Sequence, residues 1–260
     1  MSLITQIRQD HPVIGGRKLH QLLKIPFVEH GIEMGRDRLF NLMREQGLLK
    51  RKRRCKAITT WSRHPFYKYK NLIKGVNFDL PEQLWVSDIT FLKTENGFLY
   101  LSLITDAYSK KIVGYDLSNN LESVNALAAL KMAIGTKRYM RQLIHHSDRG
   151  IQYCSHEYTK LLKQCGIKIS MTENGDPKEN AIAERINGIL KHEYLLHDKL
   201  TNYPTTHASV EHAIRMYNEK RPHLSCNMKT PSDVHHNELK TNKLWKTYYR
   251  KKIIVNQYQD

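Results

Sequence analysis

Apolar and polar positions follow one rhythm near the N-terminus and another beyond it. Up to Lys50, Leu19, Leu22 and Leu23 form one helically spaced apolar cluster and Leu39, Leu42 and Met43 another. This predicts short helices, the second ending near Gly47. From Leu84 onward strands are expected: Leu84 to Leu92, Phe98 to Thr105 and Ile112 to Leu117 are rich in apolar and aromatic residues, with Asn96-Gly97 as the first turn. A helix containing small residues is expected from Leu121 to Ile134, closed by Gly135, then a strand from Leu143 to Ser147. A helix from about His156 to Gln164, ended by Gly166, leads into a fifth strand from Ile167 to Met171. Asn174-Gly175 marks the turn out of it. Asp176 as N-cap, Pro177 at the first helical position and Glu179 at the capping-box position predict a last helix running to about Leu195.

Three meandering strands followed by alternating helices and strands give an α/β order. It matches ribonuclease H-like folds, in which a mixed five-stranded sheet carries helices on both faces. The expected layout is a small helical, helix-turn-helix-like region over 1–49, a basic linker over 50–80, the α/β core over 81–234 and a basic tail over 235–260. A helix pair of this kind is also common as mere packing. At 260 residues and 40% hydrophobic content the chain can bury a sizeable core. No apolar run approaches the roughly 18 residues that span a bilayer, and the N-terminus lacks a secretion signal, so a cytoplasmic, nucleoid-associated protein without a membrane partner is expected. Cys55, Cys154, Cys165 and Cys226 include no CxxC pair and read as reduced bystanders.

Charge changes the picture more than composition does. The formal net charge of +17 points to a polyanionic partner, and its distribution is uneven. Met1 to Lys74 carries 17 Lys and Arg against 5 Asp and Glu, Gly75 to Val234 carries 19 against 18, and His235 to Asp260 carries 6 against 2. A near-neutral middle between basic arms suits a core that does chemistry and flanks that hold phosphates by counterion release, although a generic basic surface gives the same sum. Lys50, Arg51, Lys52, Arg53, Arg54 and Lys56 are the densest run and the expected DNA contacts. A nuclear-import signal is another reading of such a run.

Three carboxylates stand out. Asp88 interrupts the apolar strand at Leu84 to Leu92, where an unpaired carboxylate is costly to bury. A bound cation or a backbone or Arg partner would compensate it. Asp148 follows the strand Leu143 to Ser147, where α/β sheets usually bind ligands, though an Asp that opens the turn before Gly150 has the same pattern. On the last helix, Ile182, Ile186, Ile189 and Leu190 form the apolar side, and Asn180, Glu184, Asn187 and Lys191 gather on the opposite side, the ordinary place for a solvated face. Together the three carboxylates point to divalent ions, roughly 3.5 to 4 Å apart, that stabilise the attacking and leaving oxygens of phosphoryl displacement. Mg²⁺ or Mn²⁺ is expected, as two ions. Despite 14 histidines there is no HExxH and no Cys/His set at zinc spacing, and no GxxxxGK[ST] loop for a nucleotide. His145 and His146 read as structural or as local helpers.

Trp85-Val86-Ser87-Asp88-Ile89-Thr90, His146-Ser147-Asp148-Arg149-Gly150-Ile151-Gln152-Tyr153 and Asn180-Ala181-Ile182-Ala183-Glu184-Arg185-Ile186-Asn187-Gly188 resemble the DDE integrase core of bacterial insertion-sequence transposases. The 35 residues between Asp148 and Glu184 match the spacing of that superfamily, which includes retroviral integrases. Tyr217-Asn218, Arg221-Pro222-His223-Leu224 and Thr230-Pro231 make the second-frame product of the insertion-sequence family numbered three the best match. Only Cys55 lies upstream of the core, so the retroviral His/His/Cys/Cys zinc domain has no counterpart.

The resemblance implies that Asp88, Asp148 and Glu184 are catalytic metal ligands and that Lys191 contacts the transposon end. It implies DNA cleavage and strand transfer by a homo-oligomer on paired ends, acting on transposon ends and target DNA. It also implies an upstream-frame helix-turn-helix product as fusion or partner. A catalytically silent DNA-binding descendant and a ribonuclease H-like nuclease are the alternatives.

Overall fold

The computed structural model describes residues 1–49, 65–173, 180–196 and 200–241. Three helices open the chain: α1 (Ser2–Asp10), α2 (Gly16–Glu29) and α3 (Arg36–Glu45). Ile4, Ile14, Leu19, Leu23, Phe27, Leu39 and Met43 are buried together, with Leu22 and Leu42 at the margin. The two apolar clusters seen in the sequence are therefore halves of one small bundle.

The sheet holds β1 (Leu84–Thr94), β2 (Gly97–Asp106), β3 (Ile112–Ser118), β4 (Ile144–Ser147) and β5 (Lys168–Met171) in the order β3-β2-β1-β4-β5. The first three form an antiparallel meander, while β4 and β5 run parallel to β1. This is the mixed five-stranded ribonuclease H-like sheet expected from the order of elements. Helices α4 (Ser123–Gly135), α5 (Ile151–Cys154) and α6 (His156–Gln164) cover one face, packing on Trp85, Ile104, Val113, Ile169 and Met171. Helices α7 (Ala181–Glu193) and α8 (Tyr203–Glu219) cover the other, over Leu92, Leu99, Leu101 and Leu103. Helix α9 (Pro231–Asn237) closes the described chain.

Neither α8 nor α9 is anticipated from the apolar pattern, yet both start on clear local chemistry. The Asn202 side chain accepts a hydrogen bond from Thr205 N at 3.1 Å, and Pro204 sits in the first turn. Thr230 and Asp233 close a reciprocal capping box around Pro231. Gly135 is the last helical residue of α4 and not its stop, since the helix is capped at Thr136.

Two expected boundaries move. His235, placed in the tail by the sequence, is buried, with Nε2 3.4 Å from Glu82 Oε1 and Nδ1 3.0 Å from Ser109 Oγ. Arg141 pairs with Glu238 at 2.7 Å, and Tyr108 Oη donates to Leu239 O. The chain is thus tied to the core as far as Thr241, whose N donates to Tyr108 Oη. Buried acids at the sheet end recruit this segment, because Glu82 and Asp106 need partners once water is lost. Within the expected linker, Leu72 N donates to Ser170 Oγ at 2.9 Å, and Ile73 and Phe78 pack on Leu84 and Val86. That stretch runs beside β5, an edge strand whose exposure it reduces. Lys50 to Lys56, Asn174-Gly175, Asp176, Pro177, Glu179 and residues 242–260 lie outside the described residues.

The approach of α4 to the sheet depends on Gly114 in β3. A Cβ there would collide with the Ala129 carbonyl oxygen and lie 2.9 Å from Ala133 Cβ. Gly114→Ala is expected to destabilise the protein by about 1–3 kcal/mol, because helix backbone must retreat from the sheet. Urea unfolding of the two proteins measures it, and an unchanged midpoint would show that α4 has room to spare.

Candidate active site

Pairing of β1 with β4 sets the site. Leu84, Trp85 and Val86 stand opposite Ile144, His145 and His146 in parallel register, so continuing by two residues brings Asp88 level with Asp148. Neighbouring strands lie about 4.8 Å apart, which puts the two carboxylates on adjacent chains at one height. Each is held by a backbone donor: Ile89 N to Asp88 Oδ1 and Gly150 N to Asp148 Oδ1, both at 3.0 Å. Gly150 leaves room in the Asp148 turn, since a Cβ there would crowd Asp148 Oδ1 at 3.0 Å and Gln152 Oε1 at 3.2 Å.

Helix α7 supplies the third side. The row Asn180, Glu184, Asn187 and Lys191, read from the sequence as lying opposite the apolar face, does not simply face solvent. Asn180 and Asn187 are buried against β1. Asn180 Nδ2 donates to Ser87 O at 2.9 Å, and Asn187 Nδ2 donates to Asp88 Oδ2 at 2.7 Å. Glu184 is one turn from each asparagine and is exposed at the start of the helix. Lys191, half-buried, holds Nζ 4.5 Å from the Phe91 ring centroid. A helical wheel separates polar from apolar positions but cannot tell which polar positions another element will cover.

The electrostatics follow from this geometry. Burial, then the charge of Asp148, push the Asp88 carboxyl from its ordinary 3.8 up to about 7; the Asn187 and Ile89 hydrogen bonds oppose the rise, and Glu184 adds a smaller upward push. Loss of surrounding water also raises Glu184. Burial lowers Lys191, while the charge of Asp88 works the other way. Among the described residues no three His, Cys, Asp or Glu side chains form a finished metal cage. The donor chemistry nonetheless fits a hard divalent cation: Asp88 and Asp148 repel one another across a partly buried gap, and Glu184 approaches from the facing helix.

His145 and His146 belong to the framework. His145 Nε2 contacts Ser87 Oγ at 2.6 Å and Tyr158 Oη at 2.9 Å, and burial drives its pKa down to about 3. His146 Nδ1 contacts Ser170 Oγ at 2.8 Å. Both rings are buried, on opposite faces of the sheet.

Residues 79–177 match the family model described as integrase core domain, and residues 165–231 match a second model of the same description. The insertion element IS600 uncharacterized 31 kDa protein of Shigella sonnei is 38% identical over 204 residues, spanning 77% of this chain and 75% of the relative. Transposase InsF for insertion sequence IS3A of Escherichia coli (strain K12) is 31% identical over 199 residues, spanning 76% and 69%. The chain belongs to this family, the integrase-core transposases of insertion sequences. In fold it is similar to the simian T-cell lymphotropic virus intasome solved with the PP2A regulatory subunit B56 gamma, with a TM-score of 0.53 at 20% identity over 92% of this chain and 79% of that one.

Because Asp88 binds its proton more tightly in the fold than in the unfolded chain, ionising it costs stability progressively from pH near 4 to pH near 7, and fully above that. With metal chelated, Asp88→Asn is expected to be more stable than the parent at pH 8 by about 1–2 kcal/mol, the full shift being discounted for remaining water contact, and nearly equal at pH 4. Denaturant titrations at the two pH values test it; equal stability at both would mean Asp88 carries no such burden.

Proposed function

We propose that this transposase cuts and joins DNA strands through Asp88, Asp148 and Glu184, with Mg²⁺ or Mn²⁺, as two ions, held by these carboxylates. The observation that carries the reading is the juxtaposition of Asp88 and Asp148 across β1 and β4 beneath the polar row of α7. Bound there, a divalent ion would favour the ionised attacking oxygen and stabilise charge on the leaving oxygen. The chain's own residues do the positioning. Asn187 and Ile89 N fix the Asp88 carboxylate, Gly150 N fixes that of Asp148, and Glu184 faces them from the first turn of α7. Lys191, within the field of Asp88, is suited to a phosphate next to the reacting one.

The first reaction is attack of water on a phosphodiester, which frees a 3′-hydroxyl. The second is attack of that hydroxyl on another phosphodiester, breaking one P–O bond as another forms. Assembly of several copies on paired ends, and a helix-turn-helix product of the upstream frame, would supply selectivity for those ends. A nuclease that cuts without joining shares the chemistry but not the second step, so joined product from labelled element ends with Mg²⁺ is the deciding measurement.

Glu184→Gln is expected to abolish both cleavage and joining while leaving DNA affinity within about twofold, because its charge serves the metal and phosphate contacts carry affinity. Turnover at the parent rate would sink the assignment of Glu184. The basic run is tested separately. Replacing Lys50, Arg51, Lys52, Arg53, Arg54 and Lys56 with Gln should weaken binding and flatten the slope of log affinity against log salt by up to about five, at roughly 0.9 per lost phosphate contact. An unchanged slope would place the DNA contacts elsewhere. Substitution is a cleaner test than deleting the N-terminal region, because Lys18 of α2 pairs with Glu193 of α7.

A further inference from the structure

The outer half of the β1–β2 hairpin has one face in the core and one face bare. Leu92, Thr94, Leu99 and Leu101 are buried on the first face. The pairings Phe91 with Tyr100 and Lys93 with Phe98 place those four residues together on the other. Alternation would put polar side chains there, since none of the described residues covers it. Instead Phe91 is 39% and Phe98 52% exposed, and Tyr100 is half-buried. The two phenylalanine rings meet edge to face, with centroids 5.7 Å apart and planes at 89°. Lys191 Nζ stands 4.5 Å from the Phe91 centroid, and Lys93 is exposed on the same face.

We propose that Phe91, Phe98 and Tyr100, flanked by Lys93 and Lys191, form a stacking platform for unpaired bases at a DNA strand end. The proposal rests on the DNA-joining reading above and names a part of the substrate that the carboxylates do not touch. Exposed aromatic rings beside cations suit nucleic acid without sequence preference, because every base offers a π-face and every linkage a phosphate. Phe91 and Asp88 point to opposite faces of β1, but Lys191 of α7 links them: its Nζ lies over the Phe91 ring and within the field of Asp88, so a strand end at the carboxylates would pass Lys191 to reach the rings. A duplex hides its base faces except where it ends or opens, and the cleavage step creates an end there. A second copy of this chain is a poorer occupant, since it would bring Lys93 and Lys191 toward their own counterparts in a protein of charge +17.

The test is equilibrium binding of the full chain to a DNA duplex bearing a short single-stranded overhang that contains 2-aminopurine, against the same duplex made blunt. The parent protein is expected to bind the overhang probe more tightly and to quench its fluorescence. Phe98→Ala should lose roughly tenfold in overhang affinity, on the scale of one stacked base, with blunt-duplex affinity unchanged. Phe98→Leu should behave like the alanine variant and Phe98→Trp like the parent, which separates stacking from apolar contact. Phe98 is half exposed, so these changes leave the core intact. Retention of both preference and quenching by Phe98→Ala would overturn the proposal. So would a change in oligomeric state by sedimentation with overhang binding intact, which would assign the face to a second copy. Glu184→Gln, run alongside, should quench as the parent does yet fail to join; joining by that variant would defeat the catalytic reading and leave the stacking result to stand by itself.

Discussion

A carboxylate on the central strand of a sheet is the constraint around which this molecule is organised. β1 has a strand on each side and helices on both faces, so the Asp88 side chain gives up water it would hold anywhere on the surface. A hydrophobic residue there would extend the run from Leu84 to Leu92 at no cost. The fold instead surrounds Asp88 with donors from two directions, Ile89 N and Asn187 Nδ2, and then sets Asp148 beside it, which undoes part of the benefit. Donors that fix a carboxylate and a second carboxylate that repels it make sense together only if the resting protein is incomplete. On the proposed function, the stability given up at the site would be recovered when a cation met oxygens already aimed.

The same constraint explains the placement of α7. An amphipathic helix would normally bury only its isoleucine and leucine side, and Ile186, Ile189 and Leu190 do pack over β1 and β2. The asparagines of the polar row are also drawn inward, because Ser87 O and Asp88 Oδ2 would otherwise lack those partners. Glu184, between Asn180 and Asn187 in the row, is therefore carried to the rim of the site by hydrogen bonds made one turn away on either side. The asparagines thereby fix the height at which Glu184 stands over β1.

How much of this was legible in the sequence depended on the range of the interactions involved. All five strands, α4 and α6 announce themselves through local periodicity and turn residues, so their positions agree to within a few residues; the body of α7 does so too, while its expected start at Asp176 and Pro177 lies outside the described residues. Asp88, Asp148 and Glu184 stand out singly, as an acid in an apolar strand, an acid after a strand and an acid on a polar row. Their convergence depends on the β1–β4 register, a pairing of segments some sixty positions apart that no local pattern encodes. α8 escaped because His207, Ser209, Glu211 and His212 interrupt its apolar spacing, and its burial comes from covering β2 and β3 rather than from its own hydropathy. The aromatic face of the hairpin was hidden for the opposite reason: Phe91 and Phe98 fit the pattern of buried strand residues, and only the lack of cover among the described residues sets them apart.

Arg221, which the sequence offered only as part of a resemblance, has a mechanical role in the structure. Its buried guanidinium donates to both oxygens of Glu193, at 2.8 and 2.9 Å, and Lys18 from α2 donates to the same carboxylate at 3.0 Å. Burial alone would raise Glu193, but the hydrogen bonds and charge of Arg221, with Lys18, hold it down at about 2. Lys18 moves the other way, lowered to about 8, because burial and the neighbouring Arg221 outweigh its share of the carboxylate; the guanidinium fork is the dominant partner. Removing one member of a buried pair of this kind costs about 3–5 kcal/mol. Val13 N donates to Glu193 O, and His11 Nδ1 contacts Tyr194 Oη at 3.0 Å. The C-terminal end of α7 is thereby fastened to the N-terminal bundle, while its other end carries Glu184 to the carboxylate pair. The helix that carries Glu184 is the same one that anchors the N-terminal bundle. Any displacement of the N-terminal bundle is therefore passed directly to the helix that bears Glu184.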